Sequence, residues 1–156
     1  MHGKLFQLGY VVADLDAAMA RLGETQDIRH FRVDVFGDAS GLLLRSAKAY
    51  AGGTMLELLE PRLTAADRLY TSFLDSDPAV PRLQHLGYLV ETEEEFTGVG
   101  AWMKARGIAV ALEAVLPGKL SATYFDTRPM LGHYSEYVCL SPQARDFYDD
   151  VPANWL

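Results

Sequence analysis

A near-repeat constrains this chain more than any other feature. Gln7-Leu8-Gly9-Tyr10-Val11-Val12 returns as His85-Leu86-Gly87-Tyr88-Leu89-Val90. Four of the six positions are identical, and the exchange at the head swaps one potential metal ligand for another. A second echo follows: Glu57 in Met55-Leu56-Glu57-Leu58-Leu59 and Glu136 in Tyr134-Ser135-Glu136-Tyr137-Val138. His85 follows Gln7 by 78 residues, and Glu136 follows Glu57 by 79. Each half-chain thus carries a polar residue on an early strand and a glutamate on a late one. Repetition at a fixed period limits the architecture before any other evidence is weighed.

The segments between these anchors repeat as well. Lys4 to Val12 reads as a strand, followed by a short helix over Leu15 to Leu22 with Asp14 as its N-cap and Gly23 as its stop. Ile28 to Phe36, Gly41 to Ala49 and Thr54 to Leu59 read as three further strands, with turn chemistry at Gly37-Asp38 and Gly52-Gly53. A linker follows, helical over Ala65 to Leu74 and broken by Asp75 to Pro81. The pattern then restarts. Leu83 to Val90 is a strand, and Thr92 to Arg106 is a helix whose Glu93, Glu94 and Glu95 suit the dipole of its first turn. Gly107 closes that helix. Ile108 to Leu116, Leu120 to Asp126 and Tyr134 to Leu140 are strands, and Ser141-Pro142 opens a short terminal helix. The expected organisation is one domain over 1–156. Module one spans about 4–60, a linker helix about 62–81, module two about 83–140, and a C-terminal helix and tail about 141–156.

Strand parity gives the repeated residues a direction. Side chains alternate between the two faces of a strand. Leu8, Tyr10 and Val12 therefore share one face, as do Leu86, Tyr88 and Val90, and these bulky faces suit packing on the module helices. Gln7 and His85 leave by the opposite face, where Gly9 and Gly87 make room. Glu57 shares a face with Met55 and Leu59, and Glu136 with Tyr134 and Val138. A carboxylate between apolar neighbours is costly unless paired or bound to a cation. Glu60 falls on the other face next to Pro61 and reads as a strand-end surface residue.

Composition excludes several functions. The chain has 156 residues, enough for one core, and 49% of them are hydrophobic. No apolar run approaches the ~18 residues that span a bilayer. Met1-His2-Gly3-Lys4 leads into a strand without the apolar core of a signal peptide. Cys139 is the single cysteine, so no internal disulfide forms, and a cytoplasmic location is the simplest expectation. A net charge of −7 with scattered Lys and Arg argues against a nucleic-acid partner. Neither a membrane nor a nucleic acid is expected as partner.

With these motifs in place, the chain resembles the vicinal oxygen chelate superfamily: glyoxalase I, methylmalonyl-CoA epimerase, extradiol dioxygenases, and bleomycin and fosfomycin resistance proteins. The resemblance covers about residues 5 to 140 and rests on the paired modules, the two Leu-Gly-Tyr motifs and Met-Leu-Glu-Leu-Leu-Glu-Pro. It implies an α+β fold in which two βαβββ modules form a curved, cup-shaped mixed β-sheet with helices on the convex side. It also implies one divalent metal ion in the cup (Zn, Ni, Co, Mn, Fe or Mg), held by Gln7, Glu57, His85 and Glu136, and a homodimer. A Gln/Glu/His/Glu set is similar to that of the glyoxalase I branch. Extradiol dioxygenases use two His and one Glu, a set this chain lacks. The segment Ala122 to His133 departs from the short Asp-Pro-Asp-Gly turn of typical members.

Such a donor set suits hard-to-borderline cations. A bound cation can polarise a substrate carbonyl and stabilise the enolate or enediolate left by proton abstraction. Glu136 is the expected base, with Glu57 available as a second. The expected function is a glyoxalase-type enzyme that isomerises, epimerises or cleaves a small carbonyl or thioester substrate. His30, Arg32, Tyr124, Arg128 and His133 are the candidate substrate-binding residues, Arg128 as a clamp for an anionic group. The competing reading makes Gln7 and His85 hydrogen-bonded strand residues and leaves both carboxylates to solvent. A metal-free, drug-sequestering protein is the alternative function, its pocket lined from Tyr50, Tyr124, Phe125, Tyr134, Phe147, Tyr148 and Trp155. An acyl-CoA epimerase is a further one, though the sequence offers no basic patch for the CoA phosphates. Cys139 lies opposite Glu136 and reads as an inert packing residue.

Overall fold

The structure is a computed structural model that describes residues 3–38, 41–62 and 68–154. The elements run β1 (Lys4–Val11), α1 (Leu15–Gln26), β2 (Arg32–Asp38), β3 (Gly41–Ala51), β4 (Thr54–Pro61), α2 (Arg68–Thr71), β5 (Arg82–Val90), α3 (Glu93–Lys104), β6 (Val110–Leu116), β7 (Leu120–Phe125), α4 (Arg128–Leu131), β8 (Tyr134–Leu140) and β9 (Ala153–Asn154). The order is βαβββ twice over, the α+β repeat expected from the motifs. Two compact units emerge that do not coincide with the modules. One comprises Met1–Gln7 with His85–Asp150, the other Leu8–Gln84 with Val151–Leu156. Each module is therefore completed by residues from the far end of the chain.

In the unit containing the first module, β2, β3 and β4 form an antiparallel meander. Gly52-Gly53 makes the β3–β4 turn, with Gly52 at φ +60°. β9 adds in parallel to the end of β3 through Tyr50 and Ala51. Helix α1 covers one face. Val12, Leu15, Ala18, Ala47 and Leu58 are buried there with Tyr10, Met19, Leu22 and Phe31 against them. Full burial of Val12 and Leu15 stabilises by about 1.5–3 kcal/mol each. The Asp14 side chain caps α1 by accepting from the Ala17 N–H at 2.9 Å. Gly23 is not the stop. The helix runs on to Gln26 and ends at Asp27, whose φ of 55° is left-handed. Gly23 is buried inside the helix with Arg29 beside it, and it does not terminate the helix. β2 begins at Arg32, later than its alternation suggested. The linker helix is short, and residues 63–67 of the expected one lie outside the described residues.

In the other unit, β5 and β8 pair in parallel, while β8, β7 and β6 are antiparallel neighbours. Thr92 caps α3 by accepting from Glu95 N–H, and Glu95 reaches back to the Glu91 N–H at 2.9 Å, a reciprocal cap. Under α3 lie Val90, Val99, Met103, Phe125 and Cys139. Cys139 is thus the packing residue it was taken for, and burial pushes its thiol up. The terminal helix is reduced to a short 3-10 turn at Pro142–Ala144, and Ser141 does not cap it. Its hydroxyl donates instead to the Gly118 carbonyl at 2.8 Å. No helix among the described residues is long and apolar enough to cross a membrane.

Candidate functional site

Three of the repeated residues meet in the unit built on the second module. Gln7, His85 and Glu136 are 2%, 0% and 7% exposed. The glycine of the motif explains how they fit. A Cβ on Gly87 would stand 2.6 Å from Gln7 Oε1 and 2.9 Å from Gln7 Cβ, so the Gln7 side chain lies across the bare backbone of β5. Gly87 is in register with Glu136 on β8. His85, two residues earlier, shares the face of Gly87. Its Nε2 lies 3.3 Å from Glu136 Oε2, at ion-pair distance but not in hydrogen-bond alignment.

Gln7 Oε1 and Glu136 Oε2 are buried oxygens with no hydrogen-bond partner. Leaving a buried acceptor unsatisfied costs about 1–3 kcal/mol, more when it is charged. An amide oxygen, an imidazole nitrogen and a carboxylate oxygen converging on one face form a donor set that a divalent cation would satisfy. The chemistry of these three residues is that of a divalent-metal donor set, the kind of group the family resemblance implied. Among the described residues no group of three or more His, Cys, Asp and Glu side chains forms a metal cluster. The trio contains two such side chains and completes itself with an amide.

Tyr124 joins this face. It is in register with Glu136, and its ring meets His85 edge-on, with centroids 5.1 Å apart at 75°. Phe125 points the other way into the core under α3, which removes it from any shared aromatic lining. Tyr148 meets Phe147 edge-on, with ring centres 4.9 Å apart at 76°, and lies tilted against Phe6 at 5.5 Å. Trp155 lies outside the described residues. Arg128 is not a free clamp: its guanidinium makes a two-pronged bond to Asp126, at 2.8 and 2.7 Å, and lies 4.5 Å from the Tyr134 ring centre. Those bonds hold the Asp126 carboxyl below the ordinary aspartate range. His133 is half-buried, and its carbonyl accepts from the Thr127 hydroxyl, which also bonds Ser135 at 3.0 Å. Its Nε2 is buried with no hydrogen-bond partner.

Glu57 belongs to the other unit and is 8% exposed. It faces Lys48 across the β3–β4 hairpin, and Lys48 Nζ lies 3.0 Å from its Oε1. The same Nζ lies 2.9 Å from Asp34 Oδ2 and 2.6 Å from Ser46 Oγ, and Arg32 Nε also donates to Asp34 at 3.2 Å. Burial alone would raise the Asp34 carboxyl, but Lys48 and Arg32 outweigh it and hold it below its usual value. Burial alone would lower the Lys48 ammonium, but Glu57 and Asp34 outweigh it and push it up. Arg32 is thus part of a charge cluster built around the buried Lys48 and Glu57. His30 is not: it is exposed, precedes β2, and its backbone N–H donates to Asn154 Oδ1 at 2.9 Å. Glu60, expected at the surface, is 5% exposed, because α1 sits on it. It accepts from the Leu15 N–H and pairs with Arg45 and Arg62.

Lys48, Asp34 and Ser46 are the residues that sequence reasoning missed. A signal for Lys48 was present. Residues equidistant from a Gly52-Gly53 turn face each other, and 48 and 57 are such a pair.

Comparison with known proteins adds to this geometry. No curated protein matches the chain. Among solved structures, a methylmalonyl-CoA epimerase in complex with methylmalonyl-CoA and ammonium superposes with a TM-score of 0.65 at 18% identity, over 92% of this chain and 99% of its own. The Mycobacterium tuberculosis methylmalonyl-CoA epimerase gives 0.65 at 19%, over 90% and 89%. A Streptomyces coelicolor methylmalonyl-CoA epimerase variant with 2-nitronate-propionyl-CoA gives 0.65 at 18%, over 91% and 97%. At such identities the likeness is one of fold. The profile of the Glyoxalase/Bleomycin resistance protein/Dioxygenase superfamily matches residues 6–125, which takes in both Leu-Gly-Tyr motifs, Glu57 and His85. With the doubled βαβββ order, that match places the chain by descent as well as by shape: it belongs to the glyoxalase/bleomycin resistance protein/dioxygenase superfamily.

Proposed function

We propose that this protein is a divalent-metal-dependent enzyme that moves a proton at the carbon next to a carbonyl or thioester. The observation that carries the reading is a pair of buried oxygens without a hydrogen-bond partner, Gln7 Oε1 and Glu136 Oε2, the second 3.3 Å from His85 Nε2. Gln7, His85 and Glu136 would hold the ion. When bound, such an ion polarises a substrate carbonyl and stabilises the enolate that proton loss creates. The chain's own residues do the rest. Gln7 and His85 are fixed by burial, and Gln7 also by its contact with Gly87. The Glu136 oxygen not engaged with the ion would take the proton from the substrate carbon and return it to a neighbouring carbon for isomerisation, whereas epimerisation needs the proton delivered to the opposite face by a second group. Tyr124 packs against His85 and keeps water from that side. The expectation that Glu57 is a donor or second base rests on its offset from Glu136, and its test is separate.

Fold likeness to epimerases that act on acyl-CoA favours a thioester as the narrower substrate class. Exchange of the substrate α-proton with deuterated solvent distinguishes proton abstraction from oxygenation.

The metal reading is tested by titrating dialysed protein with Zn²⁺, Ni²⁺ and Co²⁺ in a calorimeter. The wild type is expected to bind one of them stoichiometrically. H85A, E136Q and Q7A are expected to weaken that binding by more than about tenfold, a loss that removal of even an outer-shell partner can bring. Absence of stoichiometric binding in the wild type would overturn the proposal in favour of a metal-free small-molecule binder.

A further inference from the structure

We propose that Lys48 is the resident counter-cation of Glu57, and that Glu57 is a partner of this lysine rather than a metal donor. The proposal departs from the four-ligand set and rests on the reading above only for the identity of the other three donors.

The argument begins with placement. Lys48 is flanked by Ala47 and Ala49, both fully buried on the opposite, helix-covered face of β3. Lys48 itself is 4% exposed. A lysine so buried keeps its charge only if the lost hydration is replaced. An ammonium has three donors. All three have an acceptor here: Glu57 Oε1 at 3.0 Å, Asp34 Oδ2 at 2.9 Å and Ser46 Oγ at 2.6 Å. Arg32 Nε donates to the same Asp34 oxygen, at 3.2 Å. Two cations and two anions thus balance within one face of a three-stranded sheet. Neighbouring strands fix the arrangement, since Lys48 is in register with Glu57 on β4 and with Arg32 on β2.

A divalent ion on Glu57 would disturb this balance twice. It would draw on the carboxylate that compensates Lys48, and it would set a double positive charge beside a buried ammonium. Like charges in a poorly solvated site repel strongly. A lysine whose three N–H groups all have acceptors is likewise not a substrate clamp, because it has no N–H to offer. The consequence is a shell of Gln7, His85 and Glu136 that leaves more coordination positions to water and substrate than a four-donor set would.

The test compares E57A, K48M, the double variant K48M/E57A and H85A in the full-length protein. Metal dissociation constants and melting temperatures are read for each. E57A and K48M/E57A are expected to bind metal within about twofold of wild type, whereas H85A loses more than about tenfold. E57A and K48M are each expected to lower the melting temperature by more than about 5 °C, and the double variant no further than either single, because one interaction is being removed. Weakening of metal binding by tenfold or more in both E57A and the double variant would make Glu57 a donor and overturn the inference, while the metal reading would stand. If the wild type binds no metal, the metal reading fails, and the melts alone decide: non-additive losses support the pair, additive ones refute it.

Discussion

Gly87 matters for the side chain it lacks. Its Cα faces Gln7 so closely that a Cβ would meet Gln7 Oε1 at 2.6 Å and Gln7 Cβ at 2.9 Å. The second of these atoms is not the far end of a flexible chain, so rotating the amide away does not relieve the clash. Gly87→Ala is therefore expected to cost about 1–3 kcal/mol of stability, the usual range for overpacking. It should also weaken divalent-metal binding by displacing the amide oxygen. Calorimetric melts and metal titration of the variant check both effects. A variant that melts and binds like wild type would show that Gln7 is not held where its amide is needed. The sequence carried this relation as a small residue two positions after each anchor. It did not carry the identity of the neighbour that fills the space.

At the scale of elements, the start of α1 is the best-secured point of the first module. Asp14 caps it, and Glu60 on β4 accepts from the Leu15 N–H at 3.3 Å. Arg45 on β3 ties Glu60 to Asp16 in the first helical turn. Parity correctly sent Glu60 to the face opposite Glu57. The error was to assume that this face meets water at the strand end, when the helix covers it. Glu60→Ala leaves the Leu15 N–H and Arg45 short of a partner. We expect it to lower unfolding free energy by about 1–3 kcal/mol with little change in the urea m-value. Glu60→Gln keeps a neutral acceptor and should cost less. Equal losses for the two variants would mean that shape, rather than hydrogen bonding, is what Glu60 supplies.

For the molecule as a whole, the charge cluster around the buried Lys48 sets limits on pH. The Asp34 carboxyl is held below the ordinary 3.8. Its contribution to stability is complete above that value and is lost as pH falls through the lower, folded-state value. The Lys48 ammonium is held above the ordinary 10.5, so its contribution is complete below 10.5 and is lost only as pH rises through a still higher value. Between these limits neither group titrates, and stability from this source is flat across neutrality. Urea midpoints taken from neutral to strongly acidic pH should fall less steeply in D34N than in wild type. Parallel curves would show that Asp34 contributes no pH-dependent stability.

The sequence alone determined the doubled βαβββ order, the faces of Gln7, His85, Glu57 and Glu136, and the cap of α1. These depend on short-range physics: strand alternation, turn chemistry at Gly52-Gly53 and the hydrogen bonding of a single aspartate. The same physics also held the 48 and 57 pairing, as a consequence of hairpin symmetry. Only the tertiary structure decided which distant residues become neighbours. The parallel pairing of β5 and β8 set Gly87 opposite Glu136 and left Gln7 to fill the gap. It is also tertiary packing that brought Tyr124 against His85, sheltered Glu60 beneath α1 and drew Asp34 to Lys48. Such contacts arise from the joint packing of segments far apart in the chain, where local pattern fixes a side chain's direction but not what it will meet.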